Sequence, residues 1–261
     1  MSNSLIWKLI HPRTRVAHHL YGTMHVRDAI AYGHVETAQE LIQSSELYVG
    51  EMNLSDPVLT ELDDYFRLQY GYTLAHVYGE HKYKRMQHII LKSYGIDIDS
   101  LKHYKPMIVA NMITESTLSA EYPLPLDQYL WRVAEKIGIA TTGLESGADQ
   151  IRILQSISLE LQKPMLSQIA KKVSRHRKKI ASLCQLYQDK DIQGLYLTSK
   201  RSLGKLRKPL LYQRNHLMAD RLVELTDDGP VFASVGAAHL AGKYGLLRLM
   251  KKSGYTILPV S

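Results

Sequence analysis

The pattern Gly-x-x-His occurs near both ends of this chain, and each copy closes a run of residues typical of a β-strand. The first copy, Gly22–His25, follows the short run His19–Tyr21. The second, Gly236–His239, follows the apolar, β-branched run Val231–Val235. Parallel strands of an open α/β sheet end along one edge, where such folds place their sites. The repeated pattern therefore predicts two histidines at one edge of a sheet.

Two further strand-like runs end on a glutamate. Leu47–Gly50 is followed by Glu51, and Ile139–Leu144 is followed by Glu145. If these runs are parallel strands of the same sheet, both carboxylates lie at the edge that carries the histidines. The signal at Glu145 is less specific, because a Gly-Leu-Glu turn also begins helices.

Strand-like and helical stretches alternate along the chain and predict an α/β fold, with a central, mainly parallel sheet flanked by helices. Further strands are predicted at Leu5–Ile10 and Tyr255–Val260, and helices at Val35–Gln43, Leu126–Gly138, Leu210–Leu225 and Gly242–Lys252. With 261 residues and 45% hydrophobic content, the chain can bury the core of one large domain. We expect a single domain over 1–261, with a helical insertion at about 56–120 and a helical region at about 147–226.

Two imidazoles and one carboxylate at the same sheet edge suit a divalent metal such as zinc, manganese, cobalt or iron. Such a metal lowers the pKa of its bound water towards neutrality and polarises a carbonyl. The alternative is structural: a histidine in such a turn is often a core or capping residue, and Glu51 can cap a helix or form a salt bridge. Arg214 is either a surface charge or an anchor for an oxyanion or a substrate carboxylate.

Several classes of site lack their sequence signals. The single Cys184 excludes an internal disulfide and a cysteine-rich zinc site. No Gly-x-Ser-x-Gly elbow, glycine-rich phosphate loop or His-Glu-x-x-His helix is present. The N-terminal sequence does not resemble a signal peptide, and no run of about 18 apolar residues predicts a transmembrane helix. We expect a cytoplasmic protein without a transmembrane segment.

The net charge of +8 is concentrated in basic helical stretches, above all Lys171–Lys179. A basic stretch attracts nucleic acid or an anionic membrane. Apolar residues recur around these charges at helical spacing, among them Ile169, Val173 and Ile180. Because no nucleic-acid-binding motif accompanies the charge, we favour a solvated helix face with a buried apolar stripe over nucleic-acid binding.

Taken together, these motifs resemble those of the TraB/GumN family, which includes the Tiki metalloproteases. The resemblance covers nearly the whole chain and is most specific at its C-terminal end. Its motifs are Tyr21–Val26, Leu47–Glu51, Leu126–Leu130, Thr142–Glu145, Arg214–Asn215, Ser234–Leu247 and Gly254–Ile257. The chain departs from the family pattern at Arg27, Asn53 and Gln213, which affects the surroundings of the predicted site more than its central residues.

The resemblance implies a fold shared with haem-binding ChaN and erythromycin-esterase-like proteins, and a metal-dependent hydrolase. His25, Glu51 and His239 are then expected to bind manganese, cobalt or zinc and to act in catalysis. Glu145 is expected to accept a proton or to orient a neighbour, and Arg214 to anchor the substrate, a peptide or small amide.

A binding protein without turnover is the alternative function. Such a protein would sequester a peptide, haem or a metal in the same pocket, since a shared fold does not establish activity. The sequence carries no signal for the oligomeric state.

Overall fold

All six strands join in one mixed sheet in the computed structural model, which describes residues 3–260. In chain order they are β1 (Ile6–Ile10), β2 (Ala17–Thr23), β3 (Leu47–Met52), β4 (Ala140–Glu145), β5 (Val231–Gly236) and β6 (Thr256–Pro259). The order across the sheet is β4-β3-β5-β2-β1-β6. The first four of these strands run parallel, β1 pairs antiparallel with β2, and β6 pairs antiparallel with β1. The predicted α/β fold with a mainly parallel sheet is confirmed.

The register of the parallel strands places their carboxyl ends next to one another. Residues of β5 are buried up to Gly236, as expected for a parallel strand covered on both faces. Thr23 of β2 pairs with Gly236, and Met52 of β3 pairs with Glu145. Because β3 also pairs with β5, both Gly-x-x-His turns and both glutamates lie at the carboxyl edge of the sheet.

Helices fill most of the chain between the strands. They are α1 (Val35–Gln43), α2 (Leu62–Phe66), α3 (Leu74–Tyr78), α4 (Glu80–Tyr94), α5 (Pro106–Glu115), α6 (Leu126–Lys136), α7 (Gly147–Ser156), α8 (Leu159–Lys171), α9 (Val173–Gln188), α10 (Ile192–Leu203), α11 (Arg214–Leu225) and α12 (Leu246–Lys252). Within residues 3–260, no helix is long and apolar enough to cross a membrane.

The first of two compact units contains the sheet. It comprises the described residues up to Asp56, Ala120–Asp149 and the described residues from Leu183. Helix α1 has the predicted bounds and buries Ala38 and Ile42. Helix α6 buries Trp131, whose ring packs edge-on against Tyr48 at 5.9 Å between ring centroids.

The second unit is helical and comprises Pro57–Ser119 and Gln150–Ser182. Its core is formed by apolar residues of α3, α4, α5 and α8. Helices α2 to α5 and a 3₁₀ turn, Pro57–Glu61, lie in the stretch at about 56–120 that was predicted as a helical insertion. Ile169 and Ile180 are buried, while the charges between Lys171 and Lys178 are largely exposed, so the interpretation as a solvated face fits this stretch. Whether the two units act as one domain stays a prediction.

Two predicted helices have different beginnings. A π-helical turn, Lys208–Gln213, precedes α11, so the α-helix begins at Arg214 rather than at Leu210. Helix α12 begins at Leu246 rather than at Gly242, which has a φ of +91°. That left-handed conformation is favourable for glycine but is incompatible with a helix interior.

Candidate functional site

A guanidinium group joins the two strand-end carboxylates. Arg214 Nε donates to Glu145 Oε1 at 2.8 Å and its Nη2 donates to Glu145 Oε2 at 2.6 Å. The same Nη2 also donates to Glu51 Oε1. The side chains of Arg214 and Glu51 are 13% and 27% exposed, and that of Glu145 is fully buried. Bidentate arginine–carboxylate hydrogen bonds are stronger and more directional than hydrogen bonds between neutral groups. The cluster therefore fixes the position of Arg214.

Strand ends and a helix start deliver these three side chains. Glu145 is the last residue of β4, Glu51 precedes the last residue of β3, and Arg214 is the first residue of α11. The close approach of the two strands depends on Gly143, since a Cβ there would lie 2.1 Å from the backbone nitrogen of Asn53. The glycine therefore allows the two carboxylates to share one arginine.

The second Gly-x-x-His turn packs against Glu51. The backbone N–H of Gly236 donates to Glu51 Oε2 at 2.7 Å. A Cβ on Gly236 would lie 3.4 Å from Glu51 Oε2 and 3.5 Å from His239 Cδ2. The structure thus brings together four of the five predicted catalytic residues: Glu51, Glu145, Arg214 and His239.

The pKa values of the two glutamates shift in opposite directions in this cluster. Burial by itself raises the pKa of Glu51, but the charge of Arg214, the neighbouring His239 ring, which is protonated only at low pH, and the N–H of Gly236 lower it to about 2. Burial raises the pKa of Glu145, and Arg214 only partly opposes this rise. Desolvation lowers the pKa of Arg214, but the two carboxylates outweigh it and raise that pKa above its ordinary value. Glu51 and Arg214 therefore carry their charges at neutral pH.

His239 is a buried, neutral imidazole. Burial lowers its pKa to about 4, although the nearby Glu51 acts in the opposite direction. Its Nδ1 is hydrogen-bonded to Asn215 Oδ1. Asn215 is itself fully buried, and its Nδ2 donates to the carbonyl oxygen of Tyr244 at 2.6 Å. The sequence placed Asn215 in the motif Arg214–Asn215 but predicted no role for its amide at the site.

His25 has a different environment. Its side chain is 52% exposed, and its Nδ1 lies 2.8 and 2.9 Å from the two carboxylate oxygens of Asp127. Asp127 is the second residue of α6, where an acidic residue already has a local explanation in the helix dipole. The sequence placed Asp127 at a helix start and in the motif Leu126–Leu130, but predicted no role for its carboxylate.

His25, Glu51 and His239 are residue types that bind divalent metals, but their positions in the structure do not form a metal site. Two imidazoles and a carboxylate are the ligands that zinc and its neighbours prefer. Within residues 3–260, however, no group of three or more His, Cys, Asp or Glu side chains is placed to hold a metal ion. Both oxygens of Glu51 accept hydrogen bonds, from Arg214 and from Gly236. Metal binding by His25, Glu51 and His239 therefore stays a prediction.

Comparison with known proteins gives a family and distant relatives. The family model described as "TraB/PrgY/gumN family" matches residues 5–259. The chain is 21% identical to Metalloprotease TIKI2 of Danio rerio over 98% of the chain and 60% of that relative. It is 21% identical to Metalloprotease TIKI1 of Xenopus tropicalis over 98% of the chain and 61% of the relative. For the Metalloprotease TIKI homolog of Nematostella vectensis the identity is 23%, over 62% of the chain and 41% of the relative.

The chain spans about three fifths of the length of TIKI2 and TIKI1. No solved structure matches this chain.

Proposed function

Because the chain belongs to the TraB/PrgY/gumN family, we propose that it is a metal-dependent hydrolase of peptides or small amides. The observation that carries this proposal is the cluster of Arg214, two carboxylates and His239 at the carboxyl edge of the sheet. The names of the distant relatives, all metalloproteases, support a peptide substrate.

His25, His239 and Glu51 are the residues proposed to hold the metal. A divalent metal bound there would supply a water of lowered pKa and a Lewis acid for the substrate carbonyl. The low pKa of Glu51 and the low pKa of His239 support this role, because metal ligands act as a carboxylate and as a neutral imidazole.

Arg214 is proposed to stabilise negative charge on the substrate oxygen. A fixed guanidinium of this kind acts electrostatically and needs no reorganisation during the reaction. Its Nε and Nη2 donate to the two glutamates, which hold the guanidinium in place. Glu145, fully buried against Arg214, is then proposed to orient the arginine rather than to exchange protons with substrate.

A peptide-cleavage screen with added manganese, cobalt or zinc tests this function. We expect cleavage that a chelator abolishes and that the metal restores. The variants His25→Ala and His239→Ala should each lose at least about 100-fold in kcat/KM, since the loss of a catalytic group costs several kcal/mol. The exposed His81 of the helical unit is the matched control, and His81→Ala should cleave as the wild type does.

Two results would count against the proposal. Cleavage that survives both the chelator and the two histidine substitutions would place the chemistry elsewhere. Tight binding of peptide, haem or metal at this site without any turnover would favour the alternative of a sequestering protein.

A further inference from the structure

We infer that Asp127 and Asn215 are positioning residues that hold His25 and His239 in the same tautomer, with the proton on Nδ1 and the lone pair on Nε2. This inference rests on the proposed function for its purpose, but its geometry stands independently of any activity. Each partner is the second residue of a helix, α6 or α11, and each accepts at the Nδ1 of one motif histidine.

The orientation of the Asn215 amide settles the tautomer of His239. Amide oxygen and nitrogen atoms are assigned from the hydrogen bonds around them. Here Nδ2 faces two carbonyl oxygens, at 2.6 Å for Tyr244 and 3.3 Å for His239. Carbonyl oxygens only accept, so the NH₂ group must face them and Oδ1 must face the ring. Nδ1 of His239 is therefore the donor of its bond to Asn215.

Asp127 gives the same result for His25 by its charge. An ionised carboxylate offers acceptors only, so the Nδ1 that contacts both of its oxygens carries the proton. The first turn of α6 is held in place near this pair: Tyr48 Oη lies 3.5 Å from the Asp127 carbonyl oxygen and 2.7 Å from Ser234 Oγ. Histidines that bind metals or transfer protons commonly have the second ring nitrogen fixed in this way.

The two positioning residues reach their histidines across long sequence separations. Asp127 follows His25 by 102 residues, and Asn215 precedes His239 by 24. Asp127 and Asn215 both lie at the carboxyl edge of the sheet, next to the two Gly-x-x-His turns. Side chains from two unrelated segments thus form a hydrogen bond with Nδ1 of a motif histidine. A residue that only capped its own helix would not need to contact a histidine.

Long-range ¹H–¹⁵N correlation spectra of histidine-labelled, metal-free protein at pH 8 test the inference. The spectra distinguish Nδ1–H from Nε2–H rings, and the single variants His25→Ala and His239→Ala assign the two signals among the 12 histidines. We expect both rings to be Nδ1–H in the wild type. Asp127→Ala should move His25 alone towards Nε2–H, and Asp127→Asn should do so partly, because an amide can also donate.

Asp191→Asn is the matched control, since Asp191 caps the start of helix α10 by accepting from the Gly194 N–H. It should change neither ring. An Nε2–H ring at His25 or His239 in the wild type would overturn the inference, as would an unchanged His25 signal in Asp127→Ala. The wild-type spectrum alone decides the case of Asn215, because a substitution at this fully buried position also disturbs the packing of the core.

A second readout connects the tautomer to function. Removal of a hydrogen-bond partner of a metal-ligating histidine lowers metal affinity about 10–100-fold. We expect Asp127→Ala to weaken zinc or manganese binding, measured by competition with a chelating dye, by that factor. If Asp127→Ala loses the Nδ1–H form of His25 but binds metal as tightly as the wild type, the positioning role of Asp127 stands. The proposed metal site is then contradicted.

Discussion

Replacement of Arg214 by methionine is the most informative single perturbation of this site. The change leaves Glu145 with no exposed side-chain surface and without the two hydrogen bonds that it accepts from the guanidinium. Breaking a buried ion pair by removing one partner costs about 3–5 kcal/mol, because the other charge stays buried and uncompensated. We expect the free energy of unfolding at pH 7 to fall by about this amount.

The double variant Arg214→Met/Glu145→Met tests the cause of the loss. When both partners of a buried polar pair become apolar, the penalty for an unpaired charge disappears. Glu51 keeps its hydrogen bond from the Gly236 N–H and is partly exposed. The loss of Arg214 therefore destabilises the Glu51 carboxylate less than it destabilises the Glu145 carboxylate. The double variant should therefore recover more than half of the stability that the single variant loses.

Urea unfolding followed by tryptophan fluorescence measures this directly. Both tryptophans, Trp7 and Trp131, are buried and lie in the unit that contains Arg214. Arg221→Met is a control on the same helix, since its ion pair with Glu224 is exposed and should contribute less than about 1 kcal/mol. An Arg214→Met variant as stable as Arg221→Met, or a double variant no more stable than Arg214→Met, would show that the loss does not come from an unpaired Glu145 charge.

Other consequences concern pH and close packing. Burial lowers the pKa of His18 to about 4, so the folded state binds fewer protons than the unfolded state between that pH and about 6.5. The stability that the neutral His18 contributes is fully present above pH 6.5 and should fall by about 3 kcal/mol as the pH drops to 4. Urea unfolding of the wild type and of His18→Gln at both pH values measures this contribution as the difference between the two proteins, since His239, whose pKa burial also lowers to about 4, adds a similar slope to both. Gly143→Ala should cost about 3 kcal/mol or more in the same assay, because the added Cβ would meet the Asn53 backbone at 2.1 Å. Gly33→Ala, where nothing lies within 4 Å, should be neutral or slightly stabilising, and equal effects of the two alanines would contradict the packing argument.

The sheet edge was predictable because its signals are local. The apolar, β-branched run Val231–Val235 identifies β5 as a buried strand, the strand-like run Leu47–Gly50 identifies β3, and a glycine or a glutamate follows each run. Parallel pairing then brings Glu51, Glu145 and His239 to one place without further information. The family resemblance, confirmed by the match over residues 5–259, supplied the proposed chemistry.

The partners of these residues were not predictable in the same way. Arg214 had two interpretations from sequence, and the structure excludes the surface charge, since its side chain is 13% exposed and bridges two carboxylates. Asp127 stands at a helix start, where an acidic residue already has a local explanation, and Asn215 falls inside the predicted helix Leu210–Leu225. Only tertiary packing shows that they bind His25 and His239.

Metal content is the measurement that tests the proposed function most directly. Protein purified without chelator and supplied with manganese, cobalt or zinc should hold about one metal ion per chain, as expected for a single three-ligand site. The double variant His25→Ala/His239→Ala should lose this metal while its circular dichroism stays that of the folded wild type. Equal metal content in both proteins, or none in the wild type after metal addition, would contradict a metal site built from the two Gly-x-x-His turns.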